Sequence, residues 1–100
     1  MSERNATQKE NLATRLEPPP NCRVLMHNDD YTTMEFVVEI LRRVFGKSTA
    51  EANQIMLLIH TEGEGVCGVY PFDIAETKVL KVHSLARAAG FPLRCSITEV

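Results

Sequence analysis

The most chemically capable stretch of the chain is Asn28-Asp29-Asp30, a polar cluster between an apolar segment and a predicted helix. Loop residues between two rigid elements commonly hold ligands. The two carboxylates could bind Mg²⁺ or Ca²⁺, but the cluster lacks the D-x-D-x-D-G spacing and terminal Glu of a calcium loop. Asn and Asp also bond their own backbone in ordinary turns. Taken alone, the cluster favours a turn, with a ligand site as the alternative.

A second candidate is His60, near the end of a predicted helix, where most histidines merely cap the helix or pack against it. His60 could join Asp29 or Asp30 and Cys67 as a hydrolytic set, but no nucleophile elbow is present. The histidines and cysteines show no zinc-binding spacing, and no C-x-x-C or H-E-x-x-H sequence occurs. We therefore expect a protein that is not an enzyme and that has no metal and no cofactor.

The elements that must position these residues begin with a short apolar strand over 22–27, which leads directly into the polar cluster. Thr32 and Glu35 have the spacing of a capping box, so a helix is predicted to start there. Apolar residues recur at helical spacing as far as Phe45. Gly46 stands where a left-handed residue would end the helix.

A second helix is predicted by another capping-box pair, Ser48 and Glu51, and should stop near Gly63. With the first helix it forms a helical hairpin. A short strand over 66–70 comes next in the chain.

A third helix is predicted from Pro71, which suits a first helical turn, to Gly90. The segment 92–98 then alternates apolar and polar residues as a half-buried strand does. The order is β-α-α-β-α-β, which predicts an α+β fold: a two-layer sandwich of three helices on one face of a small three-stranded antiparallel sheet. The other face should be solvated and carry Arg23, Arg94, Ser96 and Thr98.

Length and charge restrict the function further. One hundred residues make one domain, and a net charge of −2 provides no basic excess for nucleic-acid binding. The longest apolar run, 55–59, is far too short to cross a membrane, and the polar start shows no signal sequence. Three separated cysteines fit reduced packing residues. We expect a cytoplasmic protein with a disordered extension over 1–21, ending in three prolines, and a folded domain over 22–100.

The polar cluster and the first predicted helix resemble a known family. Residues 28–38, NDDYTTMEFVV, closely resemble the N-D-D-Y-T-P-M-E-F-V signature of the ClpS adaptors, which deliver N-degron substrates to the Clp AAA+ protease. Residues 56–60, 67–69 and 75–79, and Pro92-Leu93 with the following Cys95, resemble later family motifs in the right order. The resemblance spans 22–98 and has the element order derived above.

The resemblance implies a pocket for a first residue that is Leu, Phe, Tyr or Trp. Asn28 and His60 would accept hydrogen bonds from the substrate's α-amino group, and Asp29 would help directly or through water. The apolar wall would comprise Thr32, Met34, Val37, Met56, Ile59 and Leu93. Met34 would exclude β-branched first residues.

Two residues depart from the family pattern. Thr33 replaces a common proline, which is expected to loosen the helix start and leave the cap to Thr32. Ile59 stands where valine is usual, which is expected to weaken binding of Trp relative to Leu.

The resemblance also implies partners. The third helix would dock on the N-terminal domain of a Clp AAA+ ATPase through Lys78 and Asp73, the latter standing where glutamate is usual. The extension over 1–21 would be pulled on during transfer of the substrate, and the adaptor would be a monomer. An alternative with the same fold is a docking domain like that of the ribosomal stalk protein, without a pocket for an N-terminal residue.

Overall fold

The structure, a computed structural model, describes residues 21–100, which form three strands and three helices in the predicted β-α-α-β-α-β order. The α+β class is thereby confirmed. The extension predicted over 1–21 lies outside the described residues except for Asn21, which pairs with Pro71 in the sheet. The elements are β1 (Asn21–His27), α1 (Met34–Arg43), α2 (Thr49–Glu62), β2 (Glu64–Pro71), α3 (Phe72–Ala88) and β3 (Arg94–Glu99).

The sheet has β1 at its centre and pairs it antiparallel with β2 on one side and β3 on the other. Successive side chains of a strand point to opposite faces, so Cys22, Val24 and Met26 all point to one face, where they are buried. On the other face, the predicted polar residues Arg23, Arg94 and Thr98 are exposed and Ser96 is half-buried.

The helices cover the buried face of the sheet and complete the core. Each contributes the apolar residues of one stripe, as expected for helices packed on a single layer. The buried helical residues are Val37, Ile40 and Leu41 of α1, Ala52 and Ile59 of α2, and Ala75, Val79, Val82 and Ala86 of α3.

The start of α1 differs from the prediction. The helix begins at Met34, and its N-cap is Thr33, whose Oγ1 accepts the Phe36 N–H at 3.1 Å. The Thr32 hydroxyl donates instead to the Asp29 carboxylate. The predicted Thr32–Glu35 capping box was therefore wrong, as was the expectation that the cap stays with Thr32.

The end of α1 also differs, whereas both ends of α2 were predicted correctly. Helix α1 ends at Arg43 with Val44 as its C-cap, and Gly46 has a positive φ of 67° two residues later. Helix α2 has the full Ser48–Glu51 capping box and ends at Gly63, which is left-handed.

The third helix and third strand begin slightly later than predicted. Pro71 is the last residue of β2 and the N-cap of α3, so the helix starts at Phe72. Strand β3 starts at Arg94, which leaves Pro92 and Leu93 in the connection. The Arg87 guanidinium holds this connection by donating to the carbonyl oxygens of Phe91 at 2.9 Å and Leu93 at 3.0 Å.

Candidate functional site

Asn28 lies directly after β1, at the point where the chain leaves the sheet. Its backbone N–H donates to the Gly63 carbonyl oxygen at 2.9 Å, which ties this point to the C-terminal end of α2. The Asn28 side chain is exposed and makes no hydrogen bond to any other residue of 21–100. Its amide oxygen is therefore free to accept from a ligand.

Asp29 organises the loop between β1 and α1. Its Oδ1 accepts the N–H groups of Tyr31 at 2.8 Å and Thr32 at 2.7 Å, and its Oδ2 accepts the Thr32 hydroxyl at 2.8 Å. Partial burial raises the pKa of Asp29, but these hydrogen bonds and the charge of Arg87 outweigh it, and the net pKa is below the ordinary value. Asp29 is thus a negative charge held in a fixed position, and both of its carboxylate oxygens already accept hydrogen bonds within the loop.

His60 reaches the same place from the last turn of α2. Its imidazole is exposed and makes no hydrogen bond to another residue in the described part of the chain. Because Asn28 is bonded to Gly63 at the end of this helix, the two free polar side chains come from adjoining ends of β1 and α2. Both side chains line one cavity together with apolar residues of the two helices.

A cavity of about 530 Å³ opens beneath these groups. Helices α1 and α2 supply its apolar wall, and the loop between β1 and α1 supplies its polar rim. It is lined by Asn28, Asp29, Asp30, Tyr31, Thr32, Thr33, Met34, Glu35, Val37, Met56, Ile59 and His60. The fold therefore brings together eight of the nine residues predicted for the amine site and the pocket wall.

Leu93 is the exception. It does not line the cavity, it is only 1% exposed, and it belongs to the hydrophobic core. The connection between α3 and β3, held by Arg87, keeps Leu93 beneath the surface. The structure thus places Leu93 in the core, and its part in the pocket wall stays a prediction.

Gly65 of β2 determines how closely Ile59, a residue of the cavity wall, packs against the sheet. A Cβ on Gly65 would lie 3.0 Å from Ile59 Cγ1 and 3.4 Å from Ile55 Cγ2, and the first of these is closer than ordinary contact. The absence of a side chain in β2 therefore lets α2 pack closely on the sheet. Sequence reasoning missed this role, since it requires knowing that β2 packs beneath α2.

The rim of the cavity is acidic. Asp29, Asp30 and Glu35 line it, and none of its lining residues is Lys or Arg. Neither Asp30 nor Glu35 takes part in an ion pair within residues 21–100. A concave surface of one charge sign concentrates ligands of the opposite sign, so this cavity favours a cationic group near its rim.

The two residues predicted to dock an ATPase both lie on α3, but they differ in availability. Asp73 is exposed in the first turn. The ammonium of Lys78 donates to the Val44 carbonyl oxygen at 2.9 Å and lies 5.1 Å from the Tyr70 ring centroid and 5.9 Å from that of Phe45. Lys78 thus binds the C-terminal end of α1, a contact that sequence reasoning missed.

A polar contact across the open face of the sheet was also missed. His27 Nε2 lies 2.6 Å from Ser96 Oγ on β3, and His27 Nδ1 lies 3.5 Å from Glu64 Oε1 on β2. This order of groups is that of a Ser-His-acid triad, but none of the three residues lines the cavity. The three residues link all three strands, and His27 immediately precedes Asn28. This arrangement indicates a structural role.

The thiols offer no nucleophile to the cavity. Cys22, Cys67 and Cys95 are free and buried, and none of them lines it. A hydrogen bond with Cys95, together with burial, raises the pKa of the Cys67 thiol. The hydrolytic set of His60, Asp29 or Asp30, and Cys67 is therefore not assembled.

Residues 21–100 offer neither a metal cluster nor a membrane-spanning helix. They contain no group of three or more His, Cys, Asp or Glu side chains arranged to hold a metal ion. None of their helices is both long and apolar enough to span a bilayer.

Comparison with known proteins shows which chains this one is similar to. The family model described as ATP-dependent Clp protease adaptor protein ClpS matches residues 17–96. An ATP-dependent Clp protease adapter protein ClpS from Oleidesulfovibrio alaskensis is 53% identical over the full length of both chains. Its counterpart from Desulfatibacillum aliphaticivorans is 59% identical over 83% of this chain and 80% of its own length.

A solved structure is similar as well. The structure of Agrobacterium tumefaciens ClpS2 bound to L-phenylalaninamide matches with a TM-score of 0.80 and 37% sequence identity. The match covers 83% of this chain and all of the other.

Proposed function

The chain belongs to the ClpS family of ATP-dependent Clp protease adaptor proteins, and we propose that it binds the first residue of substrates beginning with Leu, Phe, Tyr or Trp. The observation that carries this proposal is the cavity in which the free side chains of Asn28 and His60 adjoin an apolar wall under an acidic rim. The related protein bound to L-phenylalaninamide, an aromatic residue with a free α-amino group, supports it.

Recognition of the amine follows from the groups at the rim. A free α-amino group has a pKa of about 8 and is largely cationic at neutral pH, so it requires hydrogen-bond acceptors. The Asn28 amide oxygen and one ring nitrogen of His60 supply them. Asp29 contributes its fixed charge and holds the loop. Each charge-assisted hydrogen bond is worth about 1.5–3 kcal/mol, enough to distinguish a free terminus from an acetylated one.

The first side chain occupies the apolar part of the cavity. Burial of a Leu or Phe side chain contributes about 1.5–3 kcal/mol. Met34, at the edge of the cavity, would collide with a branch at the substrate's Cβ, which provides the selection against Ile and Val. The wall is formed by Thr32, Met34, Val37, Met56 and Ile59.

Delivery uses a different surface, on α3. We assign docking on the N-terminal domain of a Clp AAA+ ATPase to the exposed Asp73, with Lys78 acting chiefly through its contact with α1. The segment 1–17 would serve the transfer step, so its deletion is expected to leave peptide binding unchanged and to abolish degradation of the substrate. A monomer suffices for both roles, because one chain carries the cavity and α3.

The test is fluorescence anisotropy with peptides that differ only in their first residue: Leu, Phe, Trp, Ile, Met and N-acetyl-Leu. Leu and Phe peptides should bind with micromolar or tighter affinity, and acetylation should abolish binding. Asn28→Ala and His60→Ala should each weaken Leu binding, whereas Gln54→Ala, an exposed change on α2 outside the cavity, should not. Equal binding of the free and acetylated peptides would reject the proposal.

A further inference from the structure

A second cavity adjoins the first on the outer side of the helical hairpin. It has a volume of about 800 Å³ and lies between α1, the first half of α2 and the loop that joins them. We call it the hairpin groove. Its lining residues are Met34, Glu35, Val38, Glu39, Arg42, Arg43, Gly46, Lys47, Asn53 and Met56.

The hairpin groove is continuous with the first cavity through shared residues. Met34, Glu35 and Met56 line both. The two methionines therefore border both cavities, and Met34 is 45% exposed. A chain whose first side chain fills the first cavity can pass over Met34 directly into the groove.

Charge is distributed unevenly along the groove. Glu35 lies at the end shared with the acidic rim, whereas Arg42 and Arg43 lie in the last turn of α1. The Arg43 guanidinium is paired with Glu39 at 3.1 Å. Arg42 makes no ion pair with any residue of 21–100. The far end of the groove therefore presents an available cation.

Lys47, the remaining cation of the groove, also makes no ion pair within residues 21–100. Its side chain is half-buried, however, whereas Arg42 is exposed. Arg42 is consequently the cation of the groove best placed to accept an acidic partner.

We propose that the hairpin groove holds the substrate residues that follow the first one, and that an Asp or Glu near the fourth or fifth position binds Arg42. This proposal rests on the proposed function, because it requires the first residue to occupy the adjoining cavity. Val38 and Met56 line the floor against which the second and third residues pack. The occupant is thus an extended peptide with a free N-terminus and an acidic residue downstream.

The spacing follows from helix and strand geometry. Arg42 is eight positions after Met34, which is about 12 Å along the helix at 1.5 Å per residue. An extended peptide advances about 3.3 Å per residue, so about four residues cover this distance. An acidic residue at the second position would instead lie beside Asp29, Asp30 and Glu35 and would be repelled.

The experiment moves one Asp along a peptide of fixed composition. Peptides of seven residues begin with Phe, carry a single Asp at each position from 2 to 7 on a Gly/Ser background, and are labelled at the C-terminus. Their affinity is measured by fluorescence anisotropy at low salt. Affinity should be lowest with Asp at position 2 and highest, by about two- to fivefold over position 7, with Asp at position 4 or 5.

Three variants test whether Arg42 causes this maximum in affinity. Arg42→Ala should abolish it, whereas Lys81→Ala, which removes one exposed positive charge from α3, should leave it in place. Arg42→Glu should move the preference from Asp to Lys at the same positions. A flat profile from position 3 to 7, or a maximum that survives Arg42→Ala, would overturn the proposal.

Failure of the groove and failure of the proposed function are distinguishable. Amine-dependent binding of Phe peptides with a flat Asp profile would reject the role of the hairpin groove and leave the proposed function in place. Loss of all binding, or binding that survives N-acetylation, would reject both the proposed function and the role of the hairpin groove.

Discussion

Lys78 provides a prediction whose size can be worked from the structure. Its ammonium donates to the Val44 carbonyl oxygen at 2.9 Å and lies 5.1 Å from the Tyr70 ring centroid. A charged hydrogen bond contributes about 1.5–3 kcal/mol, and the lower end applies because Val44 is only partly buried and water can replace the donor. A partly exposed cation–π contact adds about 0.5 kcal/mol. Lys78→Met, which keeps the aliphatic stem, should therefore destabilise the fold by about 2 kcal/mol.

The assay is urea unfolding followed by circular dichroism, with Lys81→Met as the matched control on the exposed side of the same helix. The midpoint should fall for Lys78→Met with an unchanged m-value, and the control should lie within about 0.5 kcal/mol of the parent. If the two variants are equally stable, the contact with α1 contributes nothing and Lys78 is free to serve only in docking.

Three further predictions concern the cavity. Met34→Ala should admit Ile and Val peptides, with affinity gains of roughly tenfold in anisotropy titrations, since a single methyl contact is worth about 1–3 kcal/mol; unchanged exclusion would place the gate elsewhere. Gly65→Ala should push Ile59 toward the cavity and weaken Phe binding, since overpacking costs about 1–3 kcal/mol; unaltered affinity would mean that α2 yields instead. The lowered pKa of Asp29 means that its charge stabilises the fold above the unfolded pKa and that this stability is lost as the pH falls through the folded pKa. Asp29→Asn should therefore lower the free energy of unfolding at pH 7. Between pH 7 and about pH 3 the variant should lose less of its stability than the parent, as measured by urea midpoints. Equal losses of stability in the two proteins would contradict the assignment.

The sequence predicted the fold well because its local signals agree with one another. Ser48 and Glu51 have no competing partner nearby, so their capping box forms as its spacing indicates. Thr32 has the same spacing to Glu35 but lies next to Asp29, whose carboxylate accepts both its N–H and its hydroxyl. The cap consequently passes to Thr33, an outcome that spacing alone does not reveal.

The cavity brings together residues that are close in sequence or lie within the family's motifs, whereas contacts that depend on tertiary packing were missed. Family resemblance assigns Leu93 to the wall, but the structure places it in the core, where its carbonyl oxygen accepts a hydrogen bond from Arg87. The bond between Lys78 and Val44 joins residues 34 positions apart. The contacts that determine the roles of Leu93 and Lys78 form only when α3 packs on the rest of the domain.

The measurement that tests the central claim most directly is a two-dimensional NMR titration of the labelled protein with L-phenylalaninamide and with its N-acetylated form. Addition of the free amine should shift the resonances of the Asn28 side-chain amide, the His60 ring and the Ile59 methyl groups in a saturable way. The acetylated compound should leave them unchanged. Equal shifts with both compounds, or shifts confined to the open face of the sheet around Ser96, would contradict the assignment of this cavity as a receptor for a free N-terminal residue.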